Sequence, residues 1–232
     1  MDMNKFVAIG AVAVGIGGAV LWMTMRGDET ARDAGVTQIS TGTEMETVAG
    51  APDAPDTSGI VEMTLGPADA KVTIVEYASF TCPYCARFHK DQFKQLKADY
   101  IDTGKVRFVY RDVFFDQLGL WASMVARCAG PEKFFGISDM IYNQQSDWIA
   151  GGDPVQASDN LRRIGKVAGL DKAQLDTCLE DEDKARALVT WFRANAEADD
   201  VSATPTLLIN GRKYSNMSYA DLKGLVDEKL AE

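Results

Sequence analysis

Val75-Glu76-Tyr77-Ala78-Ser79-Phe80-Thr81-Cys82-Pro83-Tyr84-Cys85 is the stretch from which the rest of the chain can be read. It leaves a β-rich segment, Val72-Thr73-Ile74-Val75-Glu76-Tyr77, crosses a short turn and reaches two cysteines spaced by two residues. Pro83 suits the first position of a helix and predicts one that continues to about Tyr100. A cysteine at a helix start lies beside backbone N–H groups without intrahelical partners and at the positive end of the dipole, and both favour a thiolate. Cys82 is therefore the expected nucleophile. Cys85, one turn inside and more buried, is placed to attack a mixed disulfide formed on Cys82. Pro83 fixes the turn between them and offers no N–H.

Half of a zinc knuckle has the same Cys-x-x-Cys spacing, so the surroundings must decide. The other two cysteines, Cys128 and Cys178, stand fifty residues apart, and the chain has one histidine, His89. No second closely spaced pair exists to complete a zinc site, so no metal is expected. A redox dithiol needs no metal or organic cofactor: the Cys82–Cys85 couple carries the electrons.

Downstream, Val106 to Val113 reads as a second strand and completes a β-α-β unit. From Leu118 to about Asp199 the apolar spacing turns helical, with Trp121, Val125 and Cys128 on one face, then Leu175, Cys178 and Leu179, then Leu188, Trp191 and Phe192. The acidic run Glu180-Asp181-Glu182-Asp183 is the solvated start of the next helix. Strand signal returns at Thr206-Leu207-Leu208-Ile209, turns at Asn210-Gly211, resumes at Arg212-Lys213-Tyr214 and gives way to a helix from Ser218. Upstream, Ile60 to Leu65 reads as a short strand before a Gly66-Pro67 turn. The class is α/β.

Twenty residues without charge, Phe6 to Met25, lie between Lys5 and Arg26. That length spans about 30 Å as a helix, roughly one hydrocarbon thickness, and no small-x-small cleavage site follows it. An uncleaved signal-anchor is expected over residues 1–26, with a cleaved signal peptide as the alternative. Residues 27–59 hold no aromatic side chain and are rich in Thr, Ala, Asp, Gly and Pro, the composition of a disordered tether. A formal charge of -10 argues against nucleic acid as a partner.

The quoted dithiol segment, together with Ala203-Thr204-Pro205-Thr206, closely resembles the DsbA-like family of bacterial thiol-disulfide oxidoreductases. The resemblance covers about Ile60 to Glu232. It implies a thioredoxin fold at 60–117 and 200–232 with a helical domain inserted at 118–199. It implies that Pro205 is a cis-proline whose loop lies against the dithiol. Thr204 and Pro205, with Pro83 and Tyr84, would then form the surface that receives an extended peptide. It implies that Glu76 is a buried carboxylate that takes a proton from Cys85. Alternation along the strand puts Glu76 on the side of Ile74 and Ala78, compatible with burial, although strand glutamates commonly face solvent. Tyr84 departs from the Cys-Pro-His-Cys of strongly oxidising members: it brings no positive charge, so Cys82 is expected to be less acidic than theirs. Cys-Pro-Tyr-Cys also occurs in glutaredoxins, which are short cytosolic domains without an anchor or helical insertion. His89, seven residues and about two turns after Cys82, is read as a surface histidine, against the alternative that it faces the same side as the dithiol.

The expected function is an extracytoplasmic enzyme, tethered at the periplasmic side of a membrane, that introduces disulfides into secreted proteins and exchanges electrons with a membrane redox partner, quinone-linked or electron-donating. A reductase or isomerase on the same fold is the first alternative; such isomerases usually need an oligomerisation segment, which the tether lacks. A peptide-binding or chaperone module without turnover is the second. In an oxidising compartment Cys128 and Cys178, both on apolar helix faces, are expected to pair as a structural disulfide, against two separately buried free thiols.

Overall fold

A computed structural model describes residues 54–232. The expected membrane or signal helix at 1–26 and the linker up to residue 53 lie outside the described residues. No described helix is long and apolar enough to cross a membrane.

Among the described residues five strands form one mixed sheet in the order β1-β3-β2-β4-β5, namely β1 (Met63–Leu65), β2 (Val72–Ala78), β3 (Val106–Asp112), β4 (Thr206–Ile209) and β5 (Arg212–Ser215). β2 and β3 run parallel, with Ile74 opposite Phe108 and Glu76 opposite Tyr110. A parallel pair requires a long crossover, which the helical run after the dithiol supplies. β4 lies antiparallel on the other side of β2, with Leu207 opposite Glu76, and β5 follows it as a hairpin through Asn210-Gly211, both at positive φ. β1 pairs antiparallel with β3.

β2 is thus the central strand, and both of its faces are covered. Ile74 and Ala78 join the main core with Cys85, Phe88, Leu96 and the apolar side of α9 (Tyr219–Ala231). Tyr77 turns to the opposite face, where it packs with Val113, Leu208 and Ala196. The crossover run comprises α1 (Pro83–Phe88), a π-helical turn at His89–Phe93, α2 (Lys94–Leu96) and a second π-helical turn at Lys97–Ile101. Its buried side carries Cys85, Phe88, His89, Phe93, Leu96 and Tyr100.

Six helices lie between β3 and β4: α3 (Gln117–Cys128), α4 (Pro131–Asn143), α5 (Gln145–Ile149), α6 (Pro154–Val167), α7 (Lys172–Glu180) and α8 (Glu182–Ala198). Four of the six starts are set by side-chain caps: Asp116, Asp153, Asp171 and Asp181 each accept a backbone N–H from the first turn that follows. Cys128 at the end of α3 is disulfide-bonded to Cys178 on α7. Arg127, one residue earlier, donates to Asp112 at the end of β3 at 2.6 Å and to the Val61 carbonyl at 2.9 Å, pinning the insertion to the sheet. A β-α-β unit and a β-β-α unit sharing one sheet, with helices inserted between them, make a thioredoxin fold.

The first strand differs from the sequence reading. It is Met63–Leu65, shorter than Ile60 to Leu65, because Ile60 N–H closes a turn on the Thr57 carbonyl and the Val61 carbonyl is taken by Arg127. At the last residue of the expected tether, the Gly59 carbonyl accepts from Lys184 on α8 at 3.2 Å.

Candidate active site

β2 ends at Ala78, and the four residues that follow bring the chain to the start of α1. That link is held from three sides. Cys82 N–H donates to the Ser79 carbonyl at 3.1 Å; the Thr81 hydroxyl donates to Asp116, the cap of α3, at 2.8 Å; and Gln145 Nε2 on α5 donates to the carbonyls of Phe80 and Cys82 at 2.7 and 3.0 Å. Cys82 is the N-cap residue of α1 with extended backbone, and Pro83 occupies the first turn. Pro83 and Tyr84 are exposed, Tyr84 at 56%, and the Arg87 guanidinium lies 4.3 Å from the centre of the Tyr84 ring.

The two sulfurs are unlike. Cys82 retains 8% exposure and Cys85 has none. The Cys82 thiol is brought down from its ordinary 9.0 to about 5, first by a hydrogen bond from the Cys85 thiol, against the opposing effect of burial, and further by the Thr204 side chain and the amides of Cys85 and Tyr84. Cys85 is pushed far upward, chiefly by burial, then by its hydrogen bond to Cys82 and by the negative charge of Glu76. At neutral pH the pair therefore holds one reactive, partly accessible thiolate and one buried thiol.

The loop before β4 lies against this pair. The Thr204-Pro205 peptide bond is cis, and the Thr204 carbonyl lies 3.5 Å from Cys82 Sγ, close enough to accept from it when the thiol is protonated. The structure thus brings Cys85, the Tyr84 amide and Thr204 to the Cys82 sulfur, with Pro83 and Pro205 as their neighbours in the chain. Glu76 is fully buried on β2, on the side of the sheet that carries Cys85. Cys128 and Cys178 belong to the inserted helices, outside this cluster.

A family model described as thioredoxin matches residues 57–228. A Rickettsia bellii relative named as a protein-disulfide oxidoreductase is 32% identical over 172 residues, 74% of this chain and 65% of the relative. Disulfide bond formation protein D of Bacillus subtilis is 27% identical and shares 72% of this chain and 76% of its own length. The crystal structure of Wolbachia pipientis alpha-DsbA1 superposes with a TM-score of 0.67 at 25% identity, covering 73% of this chain and 91% of that one. The chain belongs to the DsbA-like group of the thioredoxin family. It spans 65% and 61% of the length of two Rickettsia relatives that it matches.

Within this DsbA-like site the sequence reading misplaced one residue. His89, expected at the surface, is buried at 3% exposure, and its Nε2 lies 2.8 Å from Glu76 Oε2. It stacks on Tyr142 of α4 at 4.2 Å between ring centres, and Tyr142 in turn shares a 2.7 Å hydrogen bond with Tyr110 of β3. Counted from Cys82, His89 sits two turns away with no evident partner. Counted from Cys85 it is four residues on, one turn along the same face, and Cys85 points into the core. That spacing was the available signal. Gln145 had none, because only tertiary packing brings α5 to the carbonyl of Cys82.

Proposed function

We propose that this protein is a thiol-disulfide oxidoreductase that introduces disulfides into secreted or periplasmic proteins. The reading rests on one arrangement: Cys82 caps a helix and keeps 8% exposure, with its thiol drawn down to about 5, beside a Cys85 that keeps none. A thiol of low pKa is a good leaving group, so a client cysteine that has attacked Cys82 can be displaced from it readily. A stabilised Cys82 thiolate favours the reduced protein, and a dithiol that prefers to be reduced gives its disulfide away.

In the donating direction a client thiolate attacks Cys82 of the Cys82–Cys85 disulfide, and Cys85 leaves with the bonding electron pair and is protonated. A second client thiolate then attacks the client sulfur joined to Cys82. The client disulfide forms and Cys82 departs as the stabilised thiolate. Glu76 is the nearby carboxylate that exchanges the Cys85 proton. The Thr204-Pro205 loop, with Pro83 and exposed Tyr84, offers backbone and ring surface to an extended peptide. The partners are cysteine-containing secreted proteins and a membrane redox protein, quinone-linked, that restores the disulfide. The Cys128–Cys178 pair supports an oxidising, periplasmic location. Residues 6–25 would tether the protein to the membrane.

The test is to incubate the oxidised protein with a reduced, unfolded secreted protein and follow client disulfides, then to equilibrate the dithiol with a glutathione buffer. Disulfide transfer, with the glutathione equilibrium lying toward the reduced dithiol, is the expected result. An equilibrium lying toward the Cys82–Cys85 disulfide would instead assign a reductase or isomerase. Full function after replacing both cysteines would assign a peptide-binding module without turnover.

A further inference from the structure

The sulfur chemistry leaves one buried titratable side chain without a task. His89 is the chain's single histidine, and it lies in the core with its Nε2 on Glu76 Oε2 at 2.8 Å. An ionised carboxylate only accepts, so Nε2 is the donor. The other carboxylate oxygen, Glu76 Oε1, is buried and has no hydrogen-bond partner among the described residues. A buried acceptor left open is costly unless it serves something.

We propose that His89 is a positioning residue for the Cys85 half of the exchange. It anchors Glu76 by one oxygen so that the other stays free to trade a proton with the Cys85 thiol, and it shares the charge that each transfer leaves on the pair. The inference rests on the exchange reading of the dithiol.

Three features carry it. Glu76 and Cys85 already interact, since the carboxylate's charge is one of the influences that hold the Cys85 proton on. His89 is four residues after Cys85, on the same face and at the start of the π-helical turn His89–Phe93. Single π turns inside helices recur at functional sites. The ring is fixed on every side: stacked on Tyr142 at 4.2 Å, tilted against Phe93 at 4.8 Å, and edge-on to Phe88 and Tyr110 at 5.8 and 5.9 Å.

The other groups facing the pair are poor substitutes. From β3 comes Tyr110 and from α4 Tyr142, whose hydroxyls bond each other and whose burial keeps them protonated. Asp112, further along β3, is engaged by Arg127 at 2.6 Å. β4 contributes Leu207 opposite Glu76. From the helical run itself come the two cysteines, while Lys90 and Asp91 are exposed. Glu76 and His89, in contact at 2.8 Å, are therefore the one carboxylate–imidazole pair facing Cys85 from these elements.

The step balances without an outside oxidant. With Cys82 joined to a client sulfur, the Cys85 thiol gives its proton to Glu76 and its electron pair attacks Cys82 Sγ. The Cys82–Cys85 bond forms, the client bond breaks, and the client sulfur leaves with the bonding pair and takes a proton from water. In reverse, Cys85 departs as a thiolate and the pair returns the proton.

The experiment mixes reduced full-length protein with oxidised glutathione and quenches with acid across pH, separating attack by Cys82 from resolution by Cys85. His89→Gln keeps a donor for Glu76 but cannot exchange a proton; His89→Phe keeps the stacking on Tyr142. Both should slow resolution about tenfold, below the usual range for acid–base catalysis because Glu76 remains, and should simplify its pH profile. The attack step should keep its dependence on a Cys82 thiolate. Resolution at the wild-type rate and with the wild-type pH profile in His89→Gln would overturn the proposal and leave a purely structural histidine. Wild-type protein that forms no mixed disulfide would instead sink the exchange reading. One measurement needs no variant: a single histidine gives one resolvable imidazole titration by NMR. That titration should shift between the dithiol and disulfide forms, and identical curves in both would refute the coupling.

Discussion

Acidifying the reduced protein should cost it stability in a window set by Cys82. The thiol titrates near 9.0 when unfolded and at about 5 in the folded protein. A group whose folded pKa is depressed stabilises the native state fully above its unfolded pKa and loses that contribution as pH falls toward the folded value. At about 1.4 kcal/mol per pKa unit, the whole interval is worth about 5 kcal/mol, and about 3 kcal/mol remains at pH 7. Cys85 does not blur this range. Its proton is held on in the folded state, which penalises folding only where the unfolded thiol would ionise, near and above 9.0. The oxidised protein has no thiolate and should lack the effect.

The assay is denaturant unfolding of reduced wild-type protein against reduced Cys82→Ala at several pH values between about 5 and 8. Other titrating groups largely cancel in the difference. The stability gap should widen with pH by about 1.4 kcal/mol per unit. Ultraviolet absorbance of the thiolate, present in wild type and absent in the variant, should show a midpoint at about 5. A gap that stays constant from pH 5 to 8, or a thiolate midpoint near 9.0, would refute the reasoning.

Replacing Cys85 with alanine should leave an attacking thiol without a resolving partner, so reducible client adducts accumulate on Cys82 in a non-reducing gel; Cys82→Ala should show neither adducts nor turnover. Adducts on the Cys82 variant would reverse the two roles. Replacing both Cys128 and Cys178 with alanine opens a loop with a sequence separation of 50 and should lower stability by about 4 kcal/mol in denaturant, with the rate of glutathione exchange at Cys82 unchanged. Arg127→Met strips the buried Asp112 of its cation, and Asp112 Oδ1 already has no partner among the described residues. A loss of about 3–5 kcal/mol is expected, recovered in part by adding Asp112→Asn.

Much of the frame was legible because local signals agreed with the tertiary outcome. The run Val72 to Tyr77 is β-branched and apolar enough for a central strand, Pro83 suits a first helical turn, and Asn210-Gly211 marks a hairpin whose two residues adopt positive φ. The helical faces of Val125 and Leu188 point inward as their spacing requires. What stayed hidden depends on which surfaces meet. A histidine in a helix carries no local mark of burial; its place is decided by Tyr142, fifty-three residues on, which closes over the ring. The short first strand is likewise a long-range effect, since the Val61 carbonyl goes to Arg127.

Two cysteines of identical chemistry, three residues apart, end up with opposite protonation, and the cause lies in how a strand hands the chain to a helix. The parallel β2–β3 pair requires a crossover on one face of the sheet, so the residue that opens the helix sits at the rim while the residue one turn later faces the strand beneath. On that strand, the position under the helix is Glu76 rather than another aliphatic residue, opposite Tyr110 and Leu207. Burial alone would make Cys85 inert. A carboxylate within electrostatic reach makes it conditional, unable to ionise except by passing its proton to a neighbour. The same hydrogen bond that keeps the Cys85 proton on is the largest influence stabilising the Cys82 thiolate. The contact between the sulfurs thus joins the acidity of one to the reluctance of the other, which burial dominates. Any change that loosens Cys85 should blunt Cys82 as well, even with the mouth of the site, Tyr84 included, left as it is.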